Sequence, residues 1–189
     1  GRQSLVTARY RADDGLLGRS YATSDWTVVP AEGRAWSPAF APDGERLAWV
    51  ETDRGGSRLV VAPLGDPSRR RVLWTVTGRI LHPVWSADGT RLFCCSDVSG
   101  VANAYAIDLG DTATVRPVTH VIGGVVACVP SPDGRRLAVV DHDVHGPYVA
   151  TISGDPADWP DRIPAITCAW PAPNGHNPQR ALALAAEPV

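Results

Sequence analysis

The sequence predicts an all-β chain made of propeller blades of four antiparallel strands each, in an incomplete propeller of about three and a half blades. Three observations carry that reading. An Asp-Gly step recurs at Asp43-Gly44, Asp88-Gly89 and Asp133-Gly134, at two successive offsets of 45 residues (43 to 88, 88 to 133). Arg46, Arg91 and Arg136 keep the same interval, as do Leu47, Leu92 and Leu137. Between these landmarks lie short apolar runs cut by Gly, Pro and Asp clusters, the pattern of brief strands joined by turns. An ungapped repeat of this length denotes a solenoid or a propeller, and four short strands per repeat select the propeller.

Taken in order, residues 1–36 hold two β-like runs, Ser4 to Tyr10 and Ser20 to Val29, read as outer strands of a preceding partial blade. The blade over 37–81 opens at Pro38-Ala39-Phe40-Ala41 and turns at Pro42-Asp43-Gly44. Pro presets φ for the first turning position, Asp bonds its own backbone, and Gly accepts the left-handed conformation that follows. The next strand, Arg46 to Val50, is almost wholly apolar, which predicts burial on both faces. Turns at Asp53 to Gly56 and at Gly65-Asp66-Pro67 separate it from strands at Arg58 to Ala62 and Arg71 to Val76. The blade over 82–126 repeats that order with Pro83 to Ser86, Arg91 to Cys95, Ala102 to Asp108 and Thr114 to Thr119. The blade over 127–168 does so with Cys128 to Ser131, Arg136 to Val140, Tyr148 to Ile152 and Arg162 to Thr167. Pro164 suits an outer edge strand, because Pro cannot donate to a ladder. Residues 169–189, rich in Pro and carrying Asn174-Gly175 as a turn, read as an irregular tail.

Composition narrows the classes. The chain has 189 residues, 44% hydrophobic and 20% charged, which suits a folded globular protein. A formal charge of −2 offers no general attraction to phosphate, so no nucleic-acid partner is expected. All 18 basic residues are Arg, and Met is absent, so the natural start is expected outside this sequence. No apolar run has the length of a transmembrane segment. The four cysteines, Cys94, Cys95, Cys128 and Cys168, lack Cys-x-x-Cys spacing and read as buried thiols. Cys94 and Cys95 adjoin in one strand and should face opposite ways.

The pattern Pro-x-Trp/Phe-x-Pro-Asp-Gly, followed by Arg-Leu, an apolar strand, Asp-x-x-Gly and a strand ending Ile-Asp-Leu, resembles the TolB-type propeller repeat, a relative of the WD repeat. Pro38 to Val50, Pro83 to Leu109 and Ser131 to Ile152 carry the match, and Asp97-x-x-Gly100 through Ile107-Asp108-Leu109 fits it best. The third blade departs from it at Cys128 and Pro130. The resemblance implies a periplasmic or envelope setting in a bacterium, with the cytoplasm not excluded. Similar blades occur in TolB proteins, in the non-catalytic propellers of prolyl oligopeptidase-type peptidases, in the tricorn protease and in bacterial surface proteins. A closed propeller needs about 4 to 8 blades. The remainder is therefore expected in sequence outside this chain, in a second copy, or not at all, leaving open blade edges through which the chain could self-associate.

Candidate chemistry is sparse. Asp141, Asp143 and His145 form the densest set of metal-type ligands and would share one strand face, although a polar hairpin tip is the better reading of them. No Gly-x-Ser-x-Gly elbow is present, and Ser37, Ser86 and Ser131 sit at blade openings where turn roles account for them. Gly123-Gly124 lacks the Lys and Ser/Thr of a nucleotide loop. Arg69-Arg70-Arg71 reads as a solvated strand edge. Trp49 and Trp85 read as blade packing, while Trp26, Trp36 and Trp159 are candidates for an exposed contact surface. No catalytic residue and no cofactor is expected. The resulting expectation is a non-enzymatic scaffold that binds a protein or peptide partner across the blade tops or at the channel mouth. Two alternatives stand beside it: the gating propeller of a prolyl oligopeptidase-type serine peptidase with its hydrolase domain elsewhere, and a truncated product inert by itself.

Overall fold

The computed structural model describes residues 31–162. Strands β1 (Arg34–Phe40), β2 (Arg46–Asp53), β3 (Gly56–Pro63) and β4 (Arg71–Val76) form one antiparallel sheet in the order β1-β2-β3-β4. A second sheet repeats that meander with β5 (Ile80–Trp85), β6 (Arg91–Ser96), β7 (Asn103–Leu109) and β8 (Ala113–Pro117). The third holds β9 (Val125–Pro130), β10 (Arg136–Asp143) and β11 (Gly146–Ser153) among the described residues. Strand β5 packs beside both β1 and β9, so the first strands of the sheets gather on one side and the fourth strands lie outermost. These sheets are propeller blades. The strands expected at 4–10 and 20–29, the tail, Trp26 and Cys168 lie outside the described residues, as does the strand expected from Arg162 to Thr167 apart from Arg162 itself.

Side-chain alternation explains the stacking. Leu92 and Cys94 on β6 point into a cluster with Ala48, Val50 and Leu59 of the first blade. Phe93 and Cys95 on the same strand point the other way, into a cluster with Cys128, Leu137 and Val139 of the third. Strand β6 is therefore buried on both faces, as its unbroken apolar run predicts, and its two cysteines do face opposite blades. Each fully buried Leu in these layers stabilises the stack by roughly 2 kcal/mol. Burial as the first cause holds the thiols of Cys95 and Cys128 up at about 12 and raises that of Cys94 well above its ordinary value.

One expectation needs correction. The blades do not open at 37, 82 and 127: β1 starts at Arg34, β5 at Ile80 and β9 at Val125. Pro38 and Pro83 sit inside their strands, at bulges where the register passes from Trp36 to Ala39 opposite Val50 and Ala48, and from Leu81 to Val84 opposite Cys95 and Phe93. The bulge absorbs the missing Pro donor. Ser37 and His82, the residues just before each Pro, take positive φ of 53° and 50°. Where Cys128 replaces the Pro, the bulge shifts toward Val125, opposite Val140 and Asp141, and no positive φ is needed.

Candidate functional site

All three Asp-Gly hairpins lie at one end of the blades, and their carboxylates are consumed in building the turns. Gly44, Gly89 and Gly134 adopt φ of 71°, 67° and 71°, the left-handed region that favours Gly. In the second blade the Ser86 hydroxyl donates to Asp88 Oδ1 at 2.6 Å and accepts from the Arg91 backbone N–H at 3.0 Å, while the Thr90 N–H also donates to Asp88. Ser131, Asp133, Arg135 and Arg136 repeat that arrangement in the third. The Ser hydroxyl first, then the backbone N–H, holds Asp88 and Asp133 below the ordinary carboxylate value. In the first blade Ala41 replaces the Ser; Asp43 instead accepts from the Glu45 N–H at 2.8 Å and from the Arg46 guanidinium at 2.9 and 2.7 Å, which lower its pKa in that order.

The repeat arginines then tie neighbouring blades together at this end. Arg46 reaches across to Gly89 O at 2.9 Å and lies over the Trp85 ring at 4.7 Å. Its counterpart Arg91 has no such ring at the matching position, which is Pro130. Trp159 supplies one. It follows a single 3₁₀ turn over Pro156–Asp158, and its indole N–H donates to Ser153 O at 3.1 Å. Its ring meets Phe93 edge-on at 6.0 Å and sits under Arg91 at 5.2 Å and Arg116 at 5.5 Å. Trp159 is only 8% exposed, so the expectation of a contact-surface Trp159 is corrected: the ring replaces a missing packing partner.

The other expected site residues are placed as follows. Trp36 is half-buried in β1 and donates to Thr52 Oγ1 at 3.0 Å, so only part of its ring is available for contact. Asp141, Asp143 and His145 do not form a ligand set, and among the described residues no group of three His, Cys, Asp or Glu could hold a metal. The hairpin reverses at Val144-His145, between β10 and β11, so His145 leaves the strand geometry that would align it with the two carboxylates. Asp141 accepts from Tyr148 Oη at 2.9 Å, and Asp143 accepts from the His145 backbone N–H at 2.7 Å. The Arg69-Arg70-Arg71 run is not a uniform solvated edge either. Arg70 forks onto the buried Glu51 carboxylate at 3.0 and 3.1 Å, where the Trp49 indole also donates at 2.9 Å. Arg71 donates to Gly110 O of the second blade at 2.9 Å.

Among the described residues, clefts open between blades at the hairpin end. One, about 350 Å³, lies between the first and second blades beside Arg46, Arg69 and Arg71. A second, about 240 Å³, lies between the second and third and is walled by Asp88, Arg91, Pro132, Asp133 and Gly154. Sequence reasoning missed both, because a cleft depends on connection lengths on two different blades.

Radially stacked four-stranded meanders whose hairpin carboxylates serve the turns define a β-propeller segment of TolB-like fold. Residues 18–169 match the family described as the lipoprotein LpqB β-propeller domain, and the chain belongs to that family. A structure assigned to TolB of Agrobacterium tumefaciens is similar at a TM-score of 0.60 and 17% identity, over 70% of this chain and 50% of that one. TolB from Acinetobacter baumannii is similar at 0.51 and 20%, over 62% and 32%. The tricorn protease is similar at 0.51 and 15%, over 65% of this chain and 12% of its own. The chain thus spans half or less of these relatives. None of the curated proteins compared with it matches.

Proposed function

We propose that the chain is a non-enzymatic recognition scaffold that holds a protein or peptide partner at the hairpin end of its blades, in a bacterial envelope setting. The observation that carries this reading is the pair of clefts between blades at that end, walled by repeat arginines and turn residues. The hairpin carboxylates beside them are occupied by turn hydrogen bonds, so the rims offer fixed donors and apolar floors, the makings of a binding surface. The family's description as a lipoprotein domain supports the envelope setting.

Site-specific photo-cross-linking in the native cell tests both parts. A photoreactive residue at Ala87, on the rim of the second cleft, is expected to capture one discrete partner in the envelope fraction, while the same residue at Val144, on the opposite hairpin end and 95% exposed, captures none. Equal capture at both positions, or at neither, overturns the binding face. Peptide hydrolysis that co-purifies with the chain through every step would overturn the non-enzymatic reading.

A further inference from the structure

The first cleft has a counterpart one repeat further on, and that counterpart is covered from within the chain by Trp159. Arg91 and Arg116, which stack on Trp159, stand 45 residues after Arg46 and Arg71 (46 to 91, 71 to 116). The ring between the second and third blades arrives on the segment Asp155-Pro156-Ala157-Asp158-Trp159-Pro160, which leaves the end of β11 and makes a 3₁₀ turn capped by Asp155. The corresponding strand of the second blade, β7, passes to β8 through residues 110–112 alone, too short a link to deliver such a segment. Between the first and second blades the same pair of arginines therefore lines an open cleft of about 350 Å³, over a floor of Val61, Pro63 and Leu109.

The charge there is one-sided. No carboxylate lines the cleft. Arg46 is held by Asp43 and Gly89 O, and Arg71 by Gly110 O, so both guanidinium groups are fixed in place with donors to spare. Arg69, exposed at the end of the 3₁₀ turn over Pro67–Arg69, has no side-chain partner among the described residues. We propose that this cleft takes an acidic-aromatic segment of a partner polypeptide, an aromatic ring on the apolar floor with a neighbouring carboxylate on Arg69 and Arg71, as one blade further on the Trp159 ring lies on Arg91 and Arg116 while Asp108 pairs with both. The proposal rests on the recognition-scaffold reading and names the chemistry of its ligand. A net charge of −2 opposes a long polyanion, whereas one or two carboxylates beside a ring match Arg69 and Arg71, which Asp43 does not neutralise as it does Arg46, over an apolar floor.

The probe is the chain's own sequence, the hexapeptide Asp-Pro-Ala-Asp-Trp-Pro, acetylated and amidated, titrated into the full chain by calorimetry. Saturable binding with Kd below about 1 mM is expected, weakened about tenfold when the peptide carries Ala for Trp or Asn for both Asp. Arg69→Glu is expected to weaken binding about tenfold, and Arg54→Glu, an equal charge change on the opposite hairpin end, by less than about twofold. Absence of saturable binding, equal binding of the Ala or Asn peptide, or equal weakening by the two variants overturns the proposal. Such a failure leaves cross-linking from Ala87 unaffected, so the ligand assignment and the scaffold reading fall separately.

Discussion

Truncating Trp159 to Ala is expected to destabilise the chain by about 3–5 kcal/mol, the range for removing a buried large aromatic side chain. The site supports the upper part of that range. The ring is 8% exposed, and an aromatic side chain buries about 150–250 Å², worth about 4–6 kcal/mol at about 25 cal/mol per Å² before any relaxation. Its edge-on contact with Phe93 and its two stacked arginines add about 1 kcal/mol or more. With a urea slope of about 2 kcal/mol per molar, the unfolding midpoint read by circular dichroism should fall by about 2 M. Trp36→Ala removes a half-buried ring and should cost about half as much. A shift below about 0.5 M for Trp159→Ala, or one no larger than that for Trp36→Ala, would refute the claim that Trp159 closes the joint between the second and third blades, because exposed positions rarely cost more than about 0.5 kcal/mol.

Three further outcomes follow from the geometry. Gly56 has φ of +136°, and a Cβ there would lie 2.0 Å from Val76 O, whereas Gly44, at φ +71°, has open space; Gly56→Ala should therefore cost well over the roughly 1 kcal/mol expected of Gly44→Ala in a thermal melt, and equal losses would contradict it. The Asp88 carboxyl is held below 3.8 by Ser86 and Thr90, so its ionised form favours the fold: the contribution is complete above about pH 4 and fades as pH falls through the lower folded value. Asp88→Asn should flatten the drop in urea midpoint between about pH 5 and pH 3, and an unchanged slope would show that the turn bond does not stabilise. With thiols at about 12, Cys95 and Cys128 expose roughly one thiolate in 10⁴ at pH 8, so a chain carrying Cys168→Ser should react with a disulfide reagent only after unfolding; a fast native reaction would refute their burial.

The blade frame was legible because its signals are local. Asp43-Gly44 and its two copies fix a backbone turn whatever surrounds them, and the Arg-Leu step that follows each one marks the start of a buried strand. The strand openings were legible only approximately, since Pro38 and Pro83 mark a bulge inside the strand and resemble a boundary when viewed as sequence. The role of Arg70 was hidden for another reason. It depends on Glu51 being fully buried, and no feature of Val50-Glu51-Thr52 distinguishes a buried carboxylate from a hairpin-end one.

The informative departures are those that break the repeat and are repaired from elsewhere. Pro130 removes the aromatic platform that Trp85 gives Arg46, and the sequence shows the loss but not the remedy, because Trp159 lies outside the 45-residue register. Once that ring is placed, the short link between β7 and β8 acquires a meaning no single residue carries: it leaves the cleft beside Arg46 and Arg71 open, where one blade further on Trp159 covers Arg91 and Arg116. Backbone repetition builds equivalent joints between blades, and specificity enters where one connection is long enough to fill its joint and the next is not. On the proposed recognition role, the residues to vary first are therefore those that distinguish one blade from another, Arg69 and Trp159, before the residues that make the blades alike.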